Sequence, residues 1–260
     1  GPADRAKNGD MDYLPWFLQQ VRQHDQRTNM RTLDVLDIHY YPEGLYNDKD
    51  DAETAAHRLR STRSLWDKAY ADESWIDEPI ALIPRMKELI ERYYPGTKLG
   101  ISEWNWGADK TMNGALALAD VLGILGREDV YLANYWRYPE PQSPGFFAFK
   151  LYTNFDDLGG RFGDTSIAAK SDRPDRVSAY AGFDQKARRL TVMLINKDPQ
   201  RPATVLLDPK RFGLEGSAEL YRYSASAPQA IGHVTIDSVT APIQLPAYSL
   251  SLLVIEAKQP

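Results

Sequence analysis

The sequence predicts an α/β region followed by an all-β region, and two observations carry that expectation. Through about residue 170, short apolar runs alternate with helical patterns, which is the grammar of parallel α/β structure. That rhythm stops at Ser171-Asp-Arg-Pro-Asp175. Beyond it come short alternating runs separated by turn residues, the pattern of an antiparallel sandwich. The expected domains are therefore residues 1–170 and 171–260.

In order, Met11 to Thr28 reads as an amphipathic helix, with Leu14, Phe17, Leu18 and Val21 on one face. Leu33 to Pro42 reads as a strand closed by proline, followed by a polar loop over 47–51 and a helix over 52–67. Pro79 to Tyr94 aligns Ile83, Met86, Leu89, Ile90 and Tyr93 as a second helical stripe. Lys98-Leu-Gly-Ile-Ser-Glu-Trp-Asn-Trp-Gly107 is a strand that ends in a carboxylate flanked by tryptophans. Asn113 is the expected N-cap of a helix over 114–127, apolar on most sides and so expected to be buried. Val130 to Arg137 is a third strand, and Phe147 to Asp156 a further helix before the glycine-rich 158–163. The later strands are 178–183, 190–196, 204–207, 218–223 and 249–255.

Composition narrows the function. Hydrophobic residues make up 43% of the 260, enough for a substantial core, and the net charge is −5 without a long basic run. Phosphate binding needs clustered Lys and Arg, so nucleic acid is not an expected partner. No apolar stretch approaches the roughly 20 residues of a membrane span, so no membrane partner is expected either. The lack of cysteine excludes disulfides, thiol catalysis and Cys-ligated zinc. Aromatic residues are the anomaly: all six Trp precede residue 140. The aromatic surface belongs to the first region.

That surface surrounds a candidate reactive group. Trp104 and Trp106 flank Glu103, and sugar rings stack on such flat apolar faces. Side chains alternate along strands, so Asp37, His39 and Tyr41 share one face, as do Leu132, Asn134 and Trp136. If the three strands run parallel, their C-terminal ends bring His39, Tyr41, Glu103 and Trp136 to one rim, where α/β folds keep their chemistry. Singly, each has a plain structural reading: a strand-end carboxylate in water, a structural histidine, a core tryptophan.

Leu36-Asp-Ile-His-Tyr-Tyr-Pro-Glu43, Ile101-Ser-Glu-Trp-Asn-Trp-Gly107, Ala119-Asp-Val-Leu-Gly-Ile-Leu-Gly126, Leu151-Tyr-Thr-Asn-Phe-Asp156 and Gly163-Asp-Thr-Ser166, in that order, resemble glycoside hydrolase family 44. The resemblance spans most of residues 1–200. It implies an endo-acting β-1,4-glucanase or xyloglucanase with a TIM-like (β/α) barrel and a small β-sandwich domain. The three strands then match the sixth to eighth of the barrel. Glu103 matches the nucleophile of a retaining mechanism, His39 and Tyr41 match sixth-strand residues, and Trp136 matches the tryptophan under the sugar at the cleavage point. Trp104 and Trp106 are expected to contact the sugar, whereas Trp66 and Trp75, in the loop region after the sixth strand, either line the cleft further out or anchor that loop by apolar packing. The implied partner is a β-glucan polysaccharide. Such polymers lie outside cells, so a secreted, bacterial-type location is implied, although the first residues lack an apolar signal-peptide core.

The match has a gap. The family's acid/base glutamate sits in an Asn-Glu-Pro motif, which this sequence lacks; Asp77-Glu-Pro79 stands at a different place and Glu78 reads as a first-turn helix carboxylate. By resemblance the chain begins in the helix after the fifth strand, so the missing N-terminal part of the barrel is an expected partner and the isolated chain is expected to be inactive. A non-catalytic carbohydrate-binding remnant and a purely structural fragment are the rival readings. No cofactor is expected. Asp156, Asp157 and Asp164 beside glycines are calcium-ligand residue types, but their spacing is not that of an EF-hand, and they read as solvated turns. Asp120 within its apolar helix reads as a structural carboxylate.

Overall fold

The computed structural model describes residues 5–208 and 216–256. In chain order its elements are α1 (Tyr13–Thr28), β1 (Val35–Tyr40), α2 (Ala52–Ser61), a 3-10 turn (Thr62–Leu65), α3 (Leu82–Tyr93), β2 (Lys98–Trp104), α4 (Met112–Arg127), β3 (Leu132–Tyr135), α5 (Pro144–Thr153), β4 (Thr165–Ile167), β5 (Val177–Asp184), β6 (Arg189–Asn196), β7 (Ala203–Val205), β8 (Ala218–Ser224), β9 (Ala227–Ile236), β10 (Ile243–Leu245) and β11 (Ser249–Glu256). They fall into two units. The first comprises Gly1–Tyr40, Arg63–Trp104 and Val130–Trp136; the second comprises Tyr41–Thr62, Asn105–Asp129 and Arg137–Pro260. The expected boundary at residue 170 is not where the contacts divide the chain. Helices α2, α4 and α5 group with the antiparallel strands, because α4 is locked to β5 and β6 by side chains named below.

The first unit is built on three parallel strands in the order β1-β2-β3. Leu36, Leu99, Ile101 and Trp104 are buried on one face, while Asp37, His39, Leu132 and Asn134 are exposed on the other. The stripe Leu82, Ile83, Met86 and Ile90 buries one side of α3, which packs on α1 and on β2. Helix α1 begins at Tyr13, two residues later than its apolar pattern suggests. It ends at Asn29 in the left-handed region (φ 52°), a conformation asparagine tolerates. Buried Asp25 ties this end down by accepting from Thr32 N (2.8 Å), Thr32 Oγ1 (2.6 Å) and the Tyr94 hydroxyl. Burial works to raise that carboxyl, but these hydrogen bonds outweigh it and hold it below the usual carboxylate range.

The second unit centres on a six-stranded antiparallel sheet, β4-β5-β6-β11-β8-β9. One face carries Leu190, Val192, Leu194, Leu220, Leu253 and Ile255, which share a core with Ala203, Ile243 and Leu245 of the β7–β10 pair. The other face is covered by helices: α4 lies against β5, β6 and β11, and Phe147 of α5 stacks on Tyr223 at 4.7 Å. Covering both faces explains why β6 and β11 each carry four consecutive apolar residues, Val192 to Ile195 and Leu252 to Ile255, rather than strict alternations.

Several boundaries differ from expectation. The N-cap of α4 is Thr111, whose Oγ1 accepts from Gly114 N (3.3 Å), and not Asn113, whose Oδ1 instead accepts from Arg58 (2.6 Å). The helix expected over 52–67 stops at Ser61. There Ser61 Oγ and Thr62 Oγ1 bond back to the carbonyls of Arg58 and Leu59, and the chain tightens into its 3-10 turn. Helix α5 starts earlier than expected, at Pro144, behind the Ser143 cap. Strand β9 had no counterpart in the sequence reading, because its ten residues are almost all exposed and carry no apolar rhythm.

Candidate active site

The geometry begins with a break in pairing. Val35 to Ile38 of β1 pair with Lys98 to Ile101 of β2, but His39 then pairs with Glu103 and not with Ser102. The β2–β3 ladder slips over the same stretch, passing from Ile101↔Ala133 to Trp104↔Tyr135. Strand β2 therefore carries one extra residue at Ser102–Glu103, a β-bulge. In an unbroken ladder Ser102 would stand opposite His39. Glu103 would then turn to the buried face and Trp104 to the open one. The bulge reverses both.

Glu103 thus shares the open face with His39, whose Nδ1 lies 3.5 Å from Glu103 Oε2. The Glu103 side chain is 24% exposed and that of His39 55%. Trp136 N–H donates to the Trp104 carbonyl at 2.9 Å, fixing the end of β3 beside β2, and Trp136 is 46% exposed. In this first unit the structure sets Glu103 beside His39, and Trp136 follows the end of the neighbouring strand β3.

The two tryptophans flanking Glu103 are corrections. Trp104 is 2% exposed and packs edge-on against Tyr135 at 4.9 Å. Trp106, in the second unit, is 1% exposed and its Nε1 donates to Ser61 Oγ at 3.0 Å. Neither offers a face for stacking. The physical reason for Trp104 is the bulge, which restores the inward phase one residue late. For Trp106 it is a buried hydrogen-bonded socket.

Tyr41 opens the second unit, partly buried and 4.8 Å from the Tyr46 ring. The loop it begins is organised by Arg58, which is wholly buried. Its guanidinium donates to the carbonyls of Trp106 (3.0 Å), Lys49 (2.9 Å) and Asn47 (3.2 Å) and to Asn113 Oδ1 (2.6 Å). Gly107 permits this packing: its φ is +72°, and a Cβ there would meet the Leu45 and Asn47 carbonyls at 2.6 and 2.5 Å. Sequence reasoning missed Arg58, since an arginine inside an ordinary amphipathic helix carries no signal of burial.

Asp120 is the structural carboxylate its apolar helix implied. It accepts from Thr62 Oγ1 (2.7 Å), the Tyr180 hydroxyl (2.8 Å) and Lys197 Nζ (2.8 Å), joining α4 to β5 and the residue after β6. Asp156 accepts from the Leu158 and Gly160 amides (both 2.8 Å), and Asp157 pairs with Lys150 (2.6 Å). Among the described residues no group of three or more His, Asp or Glu side chains could hold a metal ion, and no helix is long and apolar enough to cross a membrane. A cavity of about 300 Å³ in the second unit, bordered by Arg127, Tyr152, Phe162 and Tyr180, is lined by none of the predicted site residues.

Comparison with known proteins gives this geometry a family. The model of glycoside hydrolase family 44 matches residues 1–44. The chain is similar to a bifunctional glucanase-xylanase from a metagenome library, with 42% identity and a TM-score of 0.92 over 98% of this chain and 50% of that one. The chain belongs to glycoside hydrolase family 44. Another family 44 likeness is a Paenibacillus polymyxa xyloglucanase solved with xyloglucan (28% identity, TM-score 0.89, 99% of this chain and 53% of that one). Among curated proteins, Endoglucanase A of Paenibacillus lautus is 35% identical over 202 residues, 73% of this chain. The chain spans 29% of that relative's length and about half of either solved chain. As a family 44 chain it is of glycoside hydrolase lineage, and the parallel three-strand sheet carries the family motifs on β1 and β2.

Proposed function

We propose that the protein is a retaining endo-β-1,4-glucanase acting on xyloglucan- or cellulose-type polysaccharides, with Glu103 as nucleophile. The observation that carries this reading is the bulge-directed pairing of Glu103 with His39 on the open face of the parallel sheet. In it, β1, β2 and β3 are the sixth to eighth strands of a TIM-like barrel and the antiparallel part is the accompanying β-sandwich. The likenesses to glucanases and a xyloglucanase, one of them solved with xyloglucan, support the substrate class.

Glu103 attacks the anomeric carbon and forms a glycosyl-enzyme ester while a second carboxyl protonates the leaving oxygen. Water, deprotonated by that second carboxyl, then attacks the anomeric carbon and frees Glu103. Retaining enzymes hold the two groups about 5–5.5 Å apart. The sequence has no Asn-Glu-Pro to supply the second, so the reading requires it from elsewhere in the assembled enzyme, the first part of the barrel being the natural source. His39 orients the Glu103 carboxylate, and the exposed face of Trp136 floors a sugar ring. The substrate contact of Tyr41 rests on the resemblance. Exposed Trp75 is a candidate for a more distant subsite. This chemistry calls for no cofactor, and a polymeric substrate places the enzyme outside the cell. A purely binding role is the weaker reading, because Trp104 and Trp106, two of its expected platforms, are buried.

The test is hydrolysis of soluble xyloglucan and carboxymethyl-cellulose by the full-length protein. Glu103→Gln is expected to lower the rate at least about a thousandfold with the fold intact. Unchanged hydrolysis would remove Glu103 from the mechanism.

A further inference from the structure

We propose that Asp37 is a positioning residue for Glu103, acting through Ser102 as a clamp on the β2 bulge; this rests on Glu103 being the nucleophile. A bulge leaves its extra residue without a ladder partner, and here that residue is Ser102. Its N–H is not left unsatisfied: it donates to Asp37 Oδ1 at 2.9 Å, and Ser102 Oγ donates to Asp37 Oδ2. One carboxylate thus takes both donors of the extra residue, a two-point hold stronger than two neutral hydrogen bonds.

Reaching that position requires space, which the sequence provides. Asp37 pairs with Gly100 on β2, and a Cβ at Gly100 would meet Asp37 Oδ1 at 3.2 Å and Val35 Cγ1 at 3.0 Å. With no side chain there, the Asp37 carboxylate can lie along β2 from the Gly100 position to Ser102. Three features therefore act together: a glycine opposite the acid, the acid, and the serine two residues beyond the glycine. The consequence is geometric. If Ser102 returned to the ladder opposite His39, Glu103 would turn toward the buried face, and a displacement of about 1 Å at a reacting group is enough to lower rates by about a hundredfold.

Asp37 would not touch the substrate under this account, so its loss should appear in kcat and not in KM. In the full-length protein, Asp37→Ala is expected to lower kcat on xyloglucan about 10- to 100-fold with KM within about twofold. Asp37→Asn keeps one acceptor and should be partly rescued. Ser102→Ala should be milder, and the Asp37→Ala/Ser102→Ala pair no worse than Asp37→Ala alone, as for groups acting as a unit. A second readout needs no activity: amide exchange at Ser102 should accelerate at least about tenfold in Asp37→Ala, with the protection of β11 unchanged. Unaltered Ser102 exchange, or altered exchange with kcat unchanged in an enzyme that Glu103→Gln inactivates, would overturn the proposal. Full activity in Glu103→Gln would instead overturn the assignment of the nucleophile, and the exchange experiment would still decide whether the clamp exists.

Discussion

Each of the two main sheets has an interior strand that runs between two neighbours, but the two strands are paired differently. Strand β11 matches β6 from Ser249↔Asn196 to Glu256↔Arg189 and β8 from Ser249↔Ser224 to Val254↔Glu219 without a slip. Strand β2 slips against both β1 and β3 at Ser102–Glu103. The first strand is buried on both faces along all but its last residue; the second buries one face and leaves Glu103 beside His39 on the other. Regular pairing with apolar cover yields stability. An extra residue held by a carboxylate yields a directed side chain. The difference separates what keeps this chain folded from what sets its proposed reactive group.

Substitutions can break the comparison, and the largest stability effects belong in the second unit. Leu252→Ala, in the middle of β11 and wholly buried, should destabilise by about 2–5 kcal/mol in denaturant unfolding. Leu132→Ala on the exposed face of the parallel sheet should cost less than about 1 kcal/mol. Equal losses would mean that the open face is covered in solution.

Asp120→Ala should cost about 3–5 kcal/mol, because it strands the buried Lys197 ammonium. The same ion pair sets a pH dependence. Burial raises the Asp120 carboxyl, and Lys197, Ser178 and Thr62 outweigh that effect, so the group lies below its ordinary value. Its contribution is present above the unfolded value of about 4 and is lost as pH falls through the folded one. Unfolding midpoints of the protein should therefore drop below about pH 4, and Asp120→Asn should flatten that drop.

The smallest effects sharpen the assignment of the aromatic residues. Trp136→Ala should weaken binding of a soluble xyloglucan oligosaccharide by about tenfold, measured by calorimetry on a Glu103→Gln background, and leave the melting temperature within about 2 °C. Trp106→Phe should do the reverse, lowering stability by about 1 kcal/mol through the lost bond to Ser61 and leaving affinity unchanged.

The sequence made the apolar parts of this molecule legible and left its irregular parts hidden. The runs around Leu36, Ile101 and Leu252 announce strands because burial selects apolar residues. The ordered motifs, the one around Glu103 among them, announced the family. Strand β9 did not show itself, since an exposed edge strand is under no pressure to alternate. The bulge was equally invisible: nothing in Ile101-Ser-Glu-Trp104 marks an extra residue, and Trp104, expected to contact the sugar, is buried. Asn113 looked like a cap by residue type, yet its partner is Arg58, 55 residues away in sequence, a relation no local pattern encodes. The grouping of α4 with the antiparallel strands was hidden for a similar reason, because α4 carries Asp120 and Gly123 against Tyr180 of a much later strand.

The most direct test of the central claim is covalent trapping in the full-length protein with a 2-deoxy-2-fluoro β-cellobioside bearing an activated leaving group, followed by peptide mapping. Such a sugar slows release of the glycosyl-enzyme intermediate more than its formation. The account predicts stoichiometric inactivation with the label on Glu103, within the Ile101–Gly107 segment. A label on any other carboxylate, or hydrolysis with inverted anomeric configuration and no label, would contradict it.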